Sequence, residues 1–277
     1  NITTAQIGQQ IGAAYVLEGS LRRAGDRLRI NAQLVDTRTD HPVWSERYDR
    51  EMKDVFEVQD EIACRIADAL RVKLSPQEQE ALAAKPTANL AAYDVYLRAR
   101  SYARRLTRQD SEFALQMYES AVAQDAEFAL AYSAIANVCA MYYHHYERSA
   151  SWMDRARAAS ERASSLQPEL PEAKVAQAWI QYANGEYEAA QVLVRAVVER
   201  KADTEGAYYL LLRALFAANE YAEIARIAEQ AVEASGNDYN VFIPIGNALS
   251  ALGKQEALKS IRTREIQVYE SHLRQVP

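Results

Sequence analysis

Residues 183–199 read ANGEYEAAQVLVRAVVE and residues 217–233 read AANEYAEIARIAEQAVE. The two stretches share a skeleton, and a third elbow stands at Gly253. Gly185, Asn219 and Gly253 follow one another at intervals of 34 residues. Gly and Asn tolerate the left-handed backbone that ends many helices, so each position reads as a turn between two helices. Helix pairs repeated at a fixed period cannot bury their apolar faces alone and stack on their neighbours.

The third, fourth and fifth copies start near Pro171, Glu205 and Tyr239. In the fifth, Phe242, Ile245, Gly246 and Leu249 fill large, large, small and large slots of a first helix. In the fourth these are Tyr208, Leu211, Leu212 and Leu215, which breaks the small slot. Second helices carry Ala190 and Ile224, then Val197 and Ala231, in matching places. Two earlier copies show Ala114, Tyr118 and Ala121, then Ala156, Ala163 and Pro168. Their separation of 42 residues places about eight inserted residues within MYYHHYERSASWM, 141–153. Residues 89–277 therefore resemble tetratricopeptide repeat proteins, with about five units and the charged IRTREIQVYESHLRQVP, 261–277, as a capping helix.

The resemblance implies an all-α superhelix whose first helices line a concave groove. It carries Tyr93, Tyr96 and Arg100, Ser133, Asn137 and Met141, Val175, Trp179 and Tyr182, Tyr209, Arg213 and Phe216, and Ile243 and Asn247 onto that face. Partner binding is expected of Tyr96, Arg100, Asn137, Trp179, Tyr182, Tyr209, Arg213, Phe216 and Asn247, an aromatic stripe with Arg and Asn of the kind that interface hot spots favour. Many of these rings could equally pack between helices. Some arrays of this kind clamp a terminal carboxylate between lysines and asparagines. Asn137 and Asn247 are present without flanking lysines, so no such clamp is expected, and an extended or helical peptide in the groove is the broader reading.

The first quarter of the chain has a different period. Thr3 and Gln6 suit a capping box, with Ile7, Ile11 and Ala14 on one helical face. YVLEGSLRRAGDRLRINAQLVD, 15–36, then alternates on both sides of Gly25-Asp26, which predicts a hairpin. PVWSERYDRE, 42–51, predicts a third strand. Asp54 and Glu57 open a helix with Val58, Ile62, Ile66 and Leu70 on one side. Residues 1 to about 75, through YVLEGS, the hairpin, W-x-E-x-Y-D and VQDEI, closely resemble the TolB-type amino-terminal module, also likened to FlgO-like domains. The resemblance implies an α+β fold whose earlier strand and helix segments are absent here. With Asn1 in place of Met, the chain is expected to be the downstream portion of a longer protein. Residues 76–88 form the linker, in which Ser75-Pro76 starts a short helix ended by Lys85-Pro86.

Composition narrows the function further. A net charge of −6 gives no general basic face for nucleic acid, and no apolar run approaches a membrane span. Cys64 and Cys139 lie in apolar helical patterns and are expected to be buried thiols, which fits a reducing, cytoplasmic setting with the periplasm as the alternative. GNALSALGK, 246–254, fails as a phosphate loop, because Ala248 occupies the glycine position and Gln255 the Ser/Thr position. His144-His145 point about 100° apart on a helix and lack a third metal ligand. Glu18, Glu46 and Asp49 are expected to pair with arginines across the sheet rather than to catalyse, and the hairpin arginines Arg22, Arg23, Arg27 and Arg29 read as a solvated face.

No cofactor, metal or catalytic centre is expected in this chain. The sequence supports a non-catalytic protein–protein interaction and regulatory region of a bacterial signalling protein, binding a protein or peptide partner. The resemblance adds that such modules follow class III nucleotide cyclases, kinases or winged-helix regulators, so an upstream catalytic domain is one alternative. An oligomerisation scaffold binding a second copy of the chain is the other.

Overall fold

In a computed structural model, residues 8, 13–51, 54–71, 86–236 and 238–275 are described, with backbone only for Phe56 and 271–275. The helix expected near Thr3 and the short helix expected after Ser75 lie outside them. The chain divides into two units, Asn1–Ala88 and Asn89–Pro277.

Among its described residues the first unit has a three-stranded antiparallel sheet and a helix. Strands β1 (Tyr15–Ala24), β2 (Arg27–Asp36) and β3 (His41–Glu51) pair in that order, and helix α1 (Val55–Ala69) follows. Ala24 faces Arg27 across Gly25-Asp26. Only Gly25, the first turn residue, has a positive φ, which is the II′ pattern that matches strand twist. Leu28, Ala32 and Leu34 of β2 are buried, together with Tyr48 of β3 and Val58 of α1. Burial and the hydrogen bond to Glu46 push the Tyr48 hydroxyl up to about 12. Arg29 meets Asp49 directly opposite at 2.7 Å, while Glu18 accepts from Gln33 and Glu46 lies 3.7 Å from Arg65. Cross-strand partners thus hold Glu18 and Asp49 as expected, whereas Glu46 meets Arg65 of α1 and Tyr48 of its own strand.

Cys64 corrects an expectation, because it is exposed. It follows Ile62 by two residues and precedes Ile66 by two, about 200° around a helix whose inward side holds Val58 and Ala67. Cys139 is buried as expected, and desolvation raises its thiol to about 12.

The second unit is an all-α superhelix of five consecutive helix pairs. They are α2 (Leu90–Ala103) with α3 (Arg108–Gln124), α4 (Ala129–His145) with α5 (Ala150–Leu166), and α6 (Pro171–Ala183) with α7 (Tyr187–Arg200). Then come α8 (Ala207–Ala217) with α9 (Tyr221–Ser235), and α10 (Phe242–Ala251) with α11 (Gln255–Gln275). A 3₁₀ turn at Tyr239–Val241 precedes α10. Within the stack α4 packs on α6, α6 on α8 and α8 on α10. Buried alanines at 92, 114, 136, 156, 178, 190, 214 and 231 let these helices approach closely. Leu212, in the slot occupied by Ala178 and Gly246 elsewhere, is also fully buried.

The three elbows are one motif made three times. Gly185, Asn219 and Gly253 have φ of +87, +62 and +68°. Each donates its amide three residues back, and the next amide reaches five back: Glu186 to Gln181, Glu220 to Leu215 and Lys254 to Leu249. This is the Schellman ending, which satisfies the last carbonyls of the helix. The earlier pairs differ: Leu106 takes φ +50° between α2 and α3, and α4 and α5 are each extended to 17 residues. That extension absorbs the insertion seen in the sequence.

A branched side chain is costly in left-handed backbone. Gly185→Val should therefore destabilise the second unit by about 1–2 kcal/mol, while Asn219→Gly should leave the denaturation midpoint unchanged or slightly raised.

A second test uses acid. Glu223 accepts from Arg226 at 2.7 and 2.8 Å on its own helix and from Arg195 of α7 at 3.1 Å. These hydrogen bonds, that from Arg226 foremost, hold its carboxyl down to about 2 from 4.5. A depressed carboxyl stabilises the fold above its unfolded value and loses that contribution as pH falls toward the folded value. Denaturation at several pH values should show Glu223→Gln less stable than the parent at pH 7, with the gap closing between pH 4.5 and 2.

Candidate partner-binding groove

Side chains at every third or fourth position of a helix share a face. On α2 this brings Tyr96 and Arg100 together, on α4 Ser133, Asn137 and Met141, and on α6 Val175 and Trp179. With Tyr209 of α8, these residues line a cavity of about 250 Å³ inside the second unit. Five of the expected binding residues, Tyr96, Arg100, Asn137, Trp179 and Tyr209, therefore converge on one space. The rings are mostly wall, with Trp179 1% exposed, Tyr96 5% and Tyr209 8%. Trp179 stands edge-on to Tyr182 at 5.4 Å and tilts against Tyr209 at 6.0 Å.

Two polar atoms in this lining have no hydrogen-bond partner, Arg100 Nε and Asn137 Oδ1. One is a donor and the other an acceptor. Buried groups of this kind cost free energy until a partner supplies the complementary atom. A peptide backbone presents both an acceptor and a donor in each residue.

One side of the cavity is held by a clasp. Glu205, just before α8, accepts from Arg100 and Arg104 of the first pair at 2.6 Å each. Tyr239 adds a hydroxyl bond to the Arg104 carbonyl at 3.4 Å. Glu172, Asp203 and Asp238 join Glu205 in the lining. Burial raises the Asp238 carboxyl, opposed by hydrogen bonds from Asn240.

The remaining expected residues are placed elsewhere. Arg213 donates to the Tyr182 hydroxyl at 3.0 and 3.2 Å and to the Tyr209 hydroxyl at 3.1 Å, and lies 3.3 Å from His144 Nε2. It is reached from the cavity through Tyr209. Phe216 packs on Tyr221 with ring centres 5.1 Å apart. Asn247 is exposed on α10 and outside the cavity lining. Sequence reasoning missed Arg104, Glu205 and Asp238, because their partners are distant in the chain or local to a loop. His144, which lies in the inserted stretch 141–153, is half-buried beside Tyr182 at 4.9 Å. Among the described residues no group of three or more His, Cys, Asp or Glu is placed to hold a metal ion, and no helix is long and apolar enough to cross a membrane.

No family model matches the chain. A curated relative, "Putative adenylate cyclase 3" of Rhizobium meliloti (strain 1021), is 38% identical over 130 residues, which is 47% of this chain. The matched segment spans 22% of that relative's length. The solved structure of a MamA RS-1 ArsTM double mutant is matched over 65% of this chain and 97% of its own, at 16% identity and a TM-score of 0.40. A likeness that loose carries no argument.

The clasp can be opened by a single change. Glu205→Gln removes the shared carboxylate and should destabilise the second unit by about 0.5–1 kcal/mol, as partly exposed ion pairs do. Hydrogen exchange should quicken at 203–206 and in the last turn of α2 while α10 is unaffected.

Proposed function

We propose that residues 89–277 form a tetratricopeptide array that holds an extended segment of a protein partner in its groove. In the same reading residues 1–75 form a TolB-type, FlgO-like module, 76–88 link the two, and the whole is a non-catalytic regulatory region of a signalling protein. The three Schellman elbows at a 34-residue spacing support the repeat assignment. The binding role rests on one observation: Arg100 Nε and Asn137 Oδ1 stand unpartnered in an aromatic-walled cavity. An extended backbone supplies the acceptor and the donor that they lack. Tyr182, Arg213, Phe216 and Asn247 extend the contact beyond the cavity.

The curated relative favours a second, compatible reading, in which this chain is the regulatory part of a nucleotide cyclase whose catalytic domain lies upstream. An antibody against this region would then recover a natural protein well above 31.1 kDa with ATP- or GTP-cyclising activity.

The groove reading is tested by selecting displayed peptides on the full chain and measuring their affinities by calorimetry. Asn137→Ala and Arg100→Ala should each weaken selected peptides by tenfold or more, with Lys259→Ala on the outer surface unchanged. Trp179→Ala is a poor probe, since truncating so buried a ring costs about 3–5 kcal/mol of stability. Peptides that bind both groove variants as they bind the parent would refute the reading.

A further inference from the structure

Guanidinium groups of the second unit generally meet carboxylates. Arg100 and Arg104 share Glu205, Arg155 meets Glu119, Arg195 and Arg226 meet Glu223, and Arg264 meets Glu229. Arg213 does not. Among the described residues its partners are two phenol hydroxyls and an imidazole nitrogen, and no carboxylate lies within ion-pair distance. Its guanidinium also sits over the Tyr182 and Tyr209 rings, 5.4 and 5.6 Å from their centres. Neutral dipoles can satisfy its N–H groups, but they leave a half-buried charge without a counter-charge.

The surroundings are built to receive one. The Tyr182 and Tyr209 hydroxyls each accept from Arg213 and keep their own proton to donate. Desolvation, and then the Arg213 charge, hold half-buried His144 down to about 4, so its imidazole is neutral at pH 7. Arg148 adds to the same positive field at His144. This geometry depends on the insertion: α4 has 17 residues against 13, 11 and 10 for α6, α8 and α10. The added turn carries His144 to a residue 69 positions away. Tyr209 and His145 also line the main cavity, so a segment lying there passes beside Arg213.

We propose that Arg213, with the hydroxyls of Tyr182 and Tyr209 and the imidazole of His144, is a subsite for one carboxylate, the side chain of an Asp or Glu in the bound segment. The proposal rests on the groove reading. Charge selects the occupant. The one guanidinium in hydrogen-bond contact with the site is that of Arg213, whose charge a carboxylate balances, whereas a phosphate dianion leaves one negative charge to the more distant Arg148. The cavity lining beyond it contributes Glu172, Asp203, Glu205 and Asp238 against Arg100 and Arg104, so a segment rich in acid is repelled. The partner segment is therefore otherwise neutral or basic and carries a single acid at this place.

The experiment uses the full chain and three pools of nonapeptides with blocked ends, randomised among uncharged residues except at the centre, which is Glu, Gln or phosphoserine. Equilibrium dialysis read by mass spectrometry gives the retention of each pool. The parent should retain the Glu pool at least tenfold over the Gln pool and no less than the phosphoserine pool. Arg213→Gln should abolish that preference, and Arg213→Lys, which keeps the charge without the fork, should retain part of it. Imidazole spectra supply a readout that needs no variant: the Glu pool should raise the His144 pKa by one unit or more, and the Gln pool should not. Equal retention of Glu and Gln, or a preference surviving Arg213→Gln, overturns the subsite and leaves the groove standing. Preference for phosphoserine overturns the carboxylate in favour of a phosphopeptide. Retention of no pool overturns the subsite and the groove together.

Discussion

In three of its five helix pairs the second unit reverses the chain through one and the same elbow. The left-handed residue at the elbow and the six-to-one hydrogen bond behind it impose that reversal. Gly185, Asn219 and Gly253 hold it at the same place in three consecutive pairs. With the reversal fixed, the first helices stack side by side and their shared faces fall on one surface. The aromatic wall formed by Tyr96, Trp179 and Tyr209 is a consequence of that stacking. Fully buried alanines at the helix crossings make the stack dense, and the bulkier Leu212 shows that the small slot tolerates exceptions.

The elbows were legible in one dimension because Gly and Asn are rare solutions to a specific backbone demand. The earlier pairs were harder to see for the same reason: Leu106 meets the demand without a glycine, and the turn between α4 and α5 includes no positive-φ residue. The hairpin was equally legible, since Gly25 and strict alternation signal a tight turn between strands. Cys64 misled because an apolar pattern does not by itself say which side of a short helix faces inward.

Within the groove, the sequence supplied the aromatic stripe but not its electrostatics. Periodicity orders residues along one helix and carries no information on pairs such as Arg104 with Glu205, 101 residues apart. His144 read as part of an insertion, and only the added turn of α4 shows what it faces. The finer placement of charge was thus a property of the folded stack, where residues from the first, second and fourth pairs meet.

The clasp at Glu205 has a kinetic side. In the proposed groove a long segment could leave sideways or lengthwise, and the tie between the first pair and the fourth would oppose the first route. For a segment lying along the cavity, sideways exit waits on the rupture of two ion pairs sharing one carboxylate. Salt weakens such pairs, so added salt would speed both entry and exit of a threaded segment. Ordinary charge-steered association slows under the same conditions. In the proposed groove, the dwell time of a bound segment would thus fall as ionic strength rises.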